Sequence, residues 1–156
     1  MLETGSTVPD IALEDTSGHP VRLADYRGAA NVLLYLMRST TCPVCNGHVK
    51  DLVGRRAEFT ERNVQVVVAV PEGREEATTW KARRSVPFPV VTGRAGSPHE
   101  AVGLTRKVFG SLQQSGSVLI DHDGVVRHAH GATMPVSSYD RDGIARAIRD
   151  LPAPRR

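Results

Sequence analysis

Cys42 and Cys45 lie two residues apart in the run Arg38-Ser39-Thr40-Thr41-Cys42-Pro43-Val44-Cys45, and they are the chain's only cysteines. A cysteine attacks as its thiolate, and a free thiol with a pKa of about 8.5 is mostly protonated at neutral pH. Pro43 suits the first turn of a helix, where its missing N–H costs nothing. Cys42 then sits at the N-terminal edge of that helix, facing unpaired backbone N–H groups and the positive dipole end, an environment that lowers a thiol pKa. The i to i+3 spacing puts Cys45 one turn deeper on the same face. The chemistry this permits is an exposed nucleophile at Cys42, with Cys45 attacking its sulfur to close a disulfide.

Two other uses of the pair compete. The cysteines could be small buried hydrophobes, although a Thr-Thr-Cys-Pro loop tip is a poor core position. A zinc site needs four ligands, and one CxxC supplies two; His48, His122, His128 and His130 are the residues that could complete it. A CxxC between a buried strand and a helix is the context of a redox pair.

The elements that must hold the pair are legible on either side. Asn31 to Met37 is a near-continuous apolar run, as a strand buried on both faces requires. A helix is expected from Pro43 to Arg62, with Val44, His48, Leu52 and Phe59 near one face and Gly47 and Gly54 weakening it. Val64 to Val70 reads as the second central strand, Glu75 to Arg84 as a helix and Pro87 to Val91 as a short strand. Pro98 to Phe109 reads as helical. Ser117 to Asp121 and Val125 to His130 read as strands joined at Asp123-Gly124, and Tyr139 to Leu151 as the closing helix. Strand–helix alternation implies a parallel centre, and the late hairpin an antiparallel edge.

The 156 residues, 40% hydrophobic and 24% charged, fit one globular domain spanning 1–156. The net charge of +3 is spread along the chain, with neither a basic stripe interleaved with aromatics nor a motif that would indicate nucleic acid. No apolar run reaches the ~18 residues of a membrane span, and the first residues lack the basic and apolar regions of a secretion signal. A cytoplasmic location, with no membrane and no nucleic-acid partner, is the expectation.

Longer stretches carry a resemblance. Gly5-x-x-Val8-Pro9-Asp10-Ile11-x-Leu13, Asp15-Thr16-x-Gly18 and Tyr26-Arg27-Gly28 form an N-terminal hairpin pattern. The buried strand before Cys42, the Trp80 helix with Phe88-Pro89-Val90-Val91, and the run Ser117 to Arg127 follow in order. Over residues 5 to 150 the chain resembles the AhpC/TSA redoxins, the peroxiredoxin branch of the thioredoxin-like superfamily. The resemblance implies an α/β thioredoxin-like fold, a central mixed sheet flanked by helices with an N-terminal β-hairpin extension.

It also implies that Cys42 attacks a peroxide oxygen to give a sulfenic acid, that Cys45 resolves it as a disulfide, and that an external dithiol, thioredoxin-like or a low-molecular-weight thiol, reduces that disulfide. Neither cofactor nor metal is required. Ser39 stands where the family's peroxide-orienting Thr or Ser precedes the cysteine by three, with Thr40 and Thr41 as nearby donors. Peroxiredoxins often dimerise, so a homodimer is allowed, though no interface is legible.

The chain departs from the pattern in two places. The family's proline early in the cysteine loop is replaced at or about Tyr35. Its active-site arginine is missing where the stretch reads Gln113-Gln114-Ser115-Gly116, leaving Arg38 or Arg127 to supply the charge. Two further readings share the fold and the cysteines: a thiol–disulfide oxidoreductase, against which counts the missing cis-proline, and a copper-binding chaperone using His128 or His130. His48, Trp80 and Tyr35 read first as structural residues.

Overall fold

A computed structural model describes residues 1–94, 96–107 and 112–152. The centre of the fold is β3 (Asn31–Leu36), all six residues of which are buried. Its sequence cannot alternate in polarity because apolar layers cover both faces. Leu33 and Tyr35 point into one cluster with Cys42, Cys45, Leu52 and Phe59, while Val32, Leu34 and Leu36 point into the other with Ile11, Leu13 and Val118.

Around β3 the chain adds, in order, β1 (Leu13–Asp15) and β2 (Pro20–Val21) before it, then α1 (Pro43–Gly54), α2 (Arg56–Glu61), β4 (Val64–Ala69), α3 (Arg74–Arg83), β5 (Val90–Gly93) and α4 (Pro98–Ala101). A short pair, β6 (Arg106–Lys107) and β7 (Leu112–Gln113), precedes β8 (Ser115–Ile120), β9 (Val126–Ala132) and α5 (Arg141–Arg149). The seven-stranded sheet runs β2-β1-β5-β4-β3-β8-β9. Pairs β3–β4 and β4–β5 are parallel, while β3–β8, β8–β9, β1–β5 and β1–β2 are antiparallel. This is the mixed, thioredoxin-like sheet that the resemblance implies, with the N-terminal hairpin added at the β5 edge.

The Asp123-Gly124 turn forms as expected, with Gly124 at φ +83. The Asp121 carboxylate accepts the Asp123 and Val125 N–H groups at 2.9 and 3.0 Å, and Arg127 Nε at 2.6 Å. Among the described residues no helix is long and apolar enough to cross a membrane.

Two helix expectations are corrected. The helix expected over Pro43–Arg62 breaks at Arg55 (φ −103, ψ 8), just after the poor helix former Gly54, and the Arg55 N–H is shared between the Asp51 and Leu52 carbonyls at 3.1 and 3.2 Å. The helix expected over Pro98–Phe109 stops at Ala101. The Gly103 backbone is at φ +86, a conformation no helix continues through, and Arg106–Lys107 pairs with Leu112–Gln113 as strand. Val108 and Phe109 lie outside the described residues.

Candidate active site

The site forms where β3 hands over to α1. The strand's end is pinned from both sides: Met37 N–H donates to Ala69 O at 2.9 Å, and the buried His99 ring nitrogen Nε2 lies 2.6 Å from Met37 O. The chain then turns through Arg38 to Thr41, and Cys42 becomes the N-cap of α1, with Pro43 in the first turn. Its Sγ accepts the Cys45 N–H at 3.3 Å, so the side chain satisfies one of the orphan donors that every helix start presents.

The loop is held by two residues that the linear motif does not mark. Glu72, just beyond β4, accepts both the Thr40 N–H at 2.8 Å and the Thr40 hydroxyl at 2.6 Å through Oε2. Asn46 Nδ2 donates to Thr40 O and Cys42 O at 3.0 and 2.9 Å, while its Oδ1 accepts Trp80 Nε1 at 2.8 Å. Trp80 therefore packs, as expected, and also ties α3 to the cysteine loop. Asn46, at i+4 from Cys42, could have been suspected from spacing; nothing local points to Glu72, which lies 32 residues from its partner.

Each residue singled out in the sequence now has a place. Cys42 is 5% exposed and Cys45 0%, so the expected exposed nucleophile is instead packed into the apolar cluster, because the loop folds down onto Glu72 and Asn46. The Ser39 and Thr41 hydroxyls are 3.2 Å apart on that loop. Arg38 is half-buried, and no hydrogen bond or ion pair with another described residue engages its guanidinium. Burial, with the Cys42 thiol as neighbour, pushes the Cys45 thiol up to about 11.

Arg127 is not brought to the site. Its pairing with Asp121 places it beyond the Ile120 end of β8, which lies opposite Val32, whereas the cysteine loop leaves β3 beyond Leu36. Four residues of strand separate those ends, roughly 13 Å. Gln113, at the place of the missing arginine, is buried and donates to the carbonyls of Thr105 and Gln114, both at 3.2 Å.

The histidines of the metal readings disperse as well. His122 lies in the β8–β9 turn, its N–H donating to Asn31 Oδ1. His130 pairs across to Ser117 and Ser117 to Tyr35, so His130 is two strands from the site, roughly 10 Å, with its ring on Ser137 O at 2.7 Å. His128 faces Asp140 at 3.5 Å. Among the described residues no three His, Cys, Asp or Glu side chains converge as a metal site needs. His48 alone stays close, and its Nδ1 is 2.7 Å from the Tyr35 hydroxyl.

The model of the AhpC/TSA family matches residues 4–129 of the chain, a span that includes the N-terminal hairpin, the strand-to-helix junction and the N-capping Cys42. The chain belongs to the AhpC/TSA family. It is 30% identical over 133 residues to alkyl hydroperoxide reductase E of Mycobacterium tuberculosis, covering 83% of this chain and 85% of that one. To peroxiredoxin Bcp of Bacillus subtilis it is 27% identical over 129 residues, covering 79% and 81%. The fold superposes on the crystal structure of peroxidoxin BcpB from Mycobacterium tuberculosis with a TM-score of 0.84 at 21% identity, covering 98% and 100% of the two chains. This AhpC/TSA protein is a thiol-dependent oxidoreductase of the peroxiredoxin kind.

The Glu72 clamp has a measurable consequence. In Glu72→Ala the Thr40 N–H and hydroxyl lose their shared acceptor, at a cost of about 1–3 kcal/mol, and the loop under Cys42 is released. A shift of about 1 Å in a reacting group is worth on the order of 100-fold in rate, so peroxide oxidation of Cys42 is expected to slow about 10- to 100-fold. Glu72→Gln, which keeps an acceptor oxygen, should stay within about tenfold of the parent. Stopped-flow oxidation of the reduced variants checks this, and a parental rate in Glu72→Ala would show that the clamp does not position Cys42.

Proposed function

We propose that this single-domain protein reduces hydrogen peroxide or organic hydroperoxides with Cys42 as the attacking thiol and Cys45 as the resolving one. The observation that carries the reading is the Cys42 sulfur at the N-cap of α1, receiving the Cys45 N–H at 3.3 Å within an AhpC/TSA fold. The Cys42 thiolate attacks the terminal peroxide oxygen; the O–O bond breaks, the sulfur becomes a sulfenic acid, and the leaving alkoxide or hydroxide takes up a proton. Cys45 then attacks the Cys42 sulfur, a disulfide forms and water leaves. An external dithiol returns two electrons and two protons by thiol–disulfide exchange.

In this reading the Ser39 and Thr41 hydroxyls, which lie 3.2 Å apart on the loop before Cys42, orient the peroxide, and Arg38, four residues before Cys42 in sequence, supplies charge to the departing oxygen. The names of the relatives, an alkyl hydroperoxide reductase and a peroxiredoxin, support the same reaction. A cytoplasmic setting with a thioredoxin-like or small-thiol donor suits a pair that must be reduced in every cycle.

The test is stopped-flow thiol loss in the fully reduced protein with one equivalent of hydrogen peroxide or an alkyl hydroperoxide, beside free cysteine, with insulin reduction measured in parallel. Loss far faster than free cysteine, ending in an intramolecular Cys42–Cys45 disulfide, is expected. A rate no better than free cysteine together with active insulin reduction would replace the peroxidase reading by that of a disulfide oxidoreductase.

A further inference from the structure

The disulfide must be reduced in every cycle, and its two sulfurs are not equally open to attack. Cys45 is 0% exposed and Cys42 5%, so an incoming thiol meets Cys42, because exchange follows access. Thr41, Pro43 and Val44 stand exposed around it at the start of α1, Val44 at 41%. From Pro43 a groove of about 540 Å³ runs between α1 and the segment leaving α3. Its floor is apolar, made by the buried Val49, Trp80 and Val86, and its rim carries the exposed Lys50 and Arg84. Neither cation is ion-paired with another described residue, and none of the described residues lining the groove is acidic. Across Trp80 the surface changes: a second depression, beside Thr40 and Thr41, sets Glu75 and Glu76 against Arg83 and Arg84. The unbalanced positive charge therefore belongs to the α1 side.

We propose that the reducing partner is an acidic dithiol polypeptide that docks along α1, with apolar contact on Pro43 and Val44 and its carboxylates on Lys50 and Arg84. The proposal rests on the assignment of Cys42–Cys45 as the disulfide formed in the cycle. One partner thiolate attacks the Cys42 sulfur, the Cys42–Cys45 bond breaks, and Cys45 leaves as a thiolate that takes up a proton. The partner's second thiolate then attacks its own sulfur in the mixed disulfide and releases Cys42. The partner supplies two electrons and two protons and ends as a disulfide, and the pair ends as two thiols.

The spacing says where the partner's charge must lie. Lys50 is eight residues on from Cys42, roughly 12 Å along the helix at about 1.5 Å per residue. An extended chain advances about 3.3–3.6 Å per residue, so the carboxylates that meet Lys50 stand about three or four positions from the attacking cysteine. The cations also act before contact. A cleft of one charge sign raises the association rate of an oppositely charged partner by about 10- to 1,000-fold at low ionic strength. A basic partner is repelled from the same rim, so the groove governs partner choice as well as rate.

The test needs no peroxide. The protein is oxidised with diamide, the Cys42–Cys45 disulfide is confirmed by mass, and its reduction is timed with three synthetic peptides. All three carry one Cys-x-x-Cys pair and differ only three and four positions to either side of it, where they have Asp, Ser or Lys. Each rate is divided by the rate with dithiothreitol on the same protein, so that differences in the disulfide itself cancel. The Asp peptide is expected to react about tenfold or more faster than the Lys peptide at low salt, with the gap closing near 1 M salt, where charges are screened within about 3 Å. Lys50→Glu with Arg84→Glu should reverse the order. Arg146→Glu with Arg149→Glu moves the same net charge in the last turn of α5, outside the groove, and should keep the order. Equal rates in the parent, or a preference that the α5 pair erases as fully as the groove pair, would overturn the proposal. If diamide closes no Cys42–Cys45 disulfide, the proposal falls with the pair assignment, and the mass shows this before any peptide is added. A protein slow toward peroxide would still give the peptide result, so failure of the peroxidase reading is seen separately.

Discussion

Cys42→Ser is expected to abolish peroxide reduction, lowering the rate on the order of 1,000-fold or more, as loss of a nucleophile does, while leaving the fold intact. Serine is a better N-cap than most residues, and here it replaces a sulfur that already accepts the Cys45 N–H at 3.3 Å. Its hydroxyl can take over that bond, so α1 keeps its start and thermal stability should match or exceed the parent's. The hydroxyl cannot replace the thiolate: it stays protonated and attacks a peroxide oxygen far too slowly. Stopped-flow kinetics and a thermal melt on the same sample separate chemistry from structure. If rapid oxidation persisted in Cys42→Ser, the attacking thiol would be Cys45, and the assignment of the two roles would have to be exchanged.

Cys45→Ser should have an effect as large but of a different kind. Cys42 is still present, so the variant should consume its first equivalent of peroxide, but the sulfenic acid then has no neighbouring thiol. A second equivalent drives it to the sulfinic acid, which a dithiol does not reverse. After excess peroxide followed by dithiol, nearly all activity should return in the parent and nearly none in the variant. Mass spectrometry should find the Cys42 sulfinic acid in the variant and the intramolecular disulfide in the parent before reduction. The substitution also places a hydroxyl in the apolar cluster of Leu52 and Phe59, for about 1–3 kcal/mol of stability. Full recovery of the variant would mean that an outside thiol, and not Cys45, resolves Cys42.

What could be read from the chain alone was local or periodic. The CxxC at a strand-to-helix junction places both sulfurs by backbone geometry, so Cys42 at an N-cap and Cys45 one turn inward required only the spacing and Pro43. The near-continuous apolar run at Asn31–Met37 and the run Val64–Val70, interrupted only at Gln65, identified strands covered on both faces, because a half-solvated strand would alternate in polarity. The Asp-Gly turn marked the late hairpin through its need for positive φ. The helix expected beyond Pro98 failed because that stretch is short and Gly103 leaves the helical region, a choice made by tertiary packing over weak propensity.

The rest of the site depends on pairs of residues far apart in sequence: Thr40 with Glu72, 32 residues on, Met37 with His99, 62 residues on, and Asp51 with Tyr139, 88 residues on. Tyr35 and His48 both read as structural residues, since a tyrosine in a buried strand and a histidine on a helix give no sign of meeting. Packing α1 onto the face of the sheet that carries Tyr35 sets its hydroxyl 2.7 Å from His48 Nδ1. Thus the sequence by itself determined where the cysteine pair stands, at the start of the helix that follows the central strand, and the fold that carries it, because both follow from local backbone geometry and apolar periodicity. Only the tertiary structure decided that Cys42 is covered, that Glu72 holds its loop, that Arg127 and the distal histidines stay away, and that the Tyr35 hydroxyl meets His48. Those outcomes depend on which side chains the closed core forces together, and no spacing along the chain encodes that.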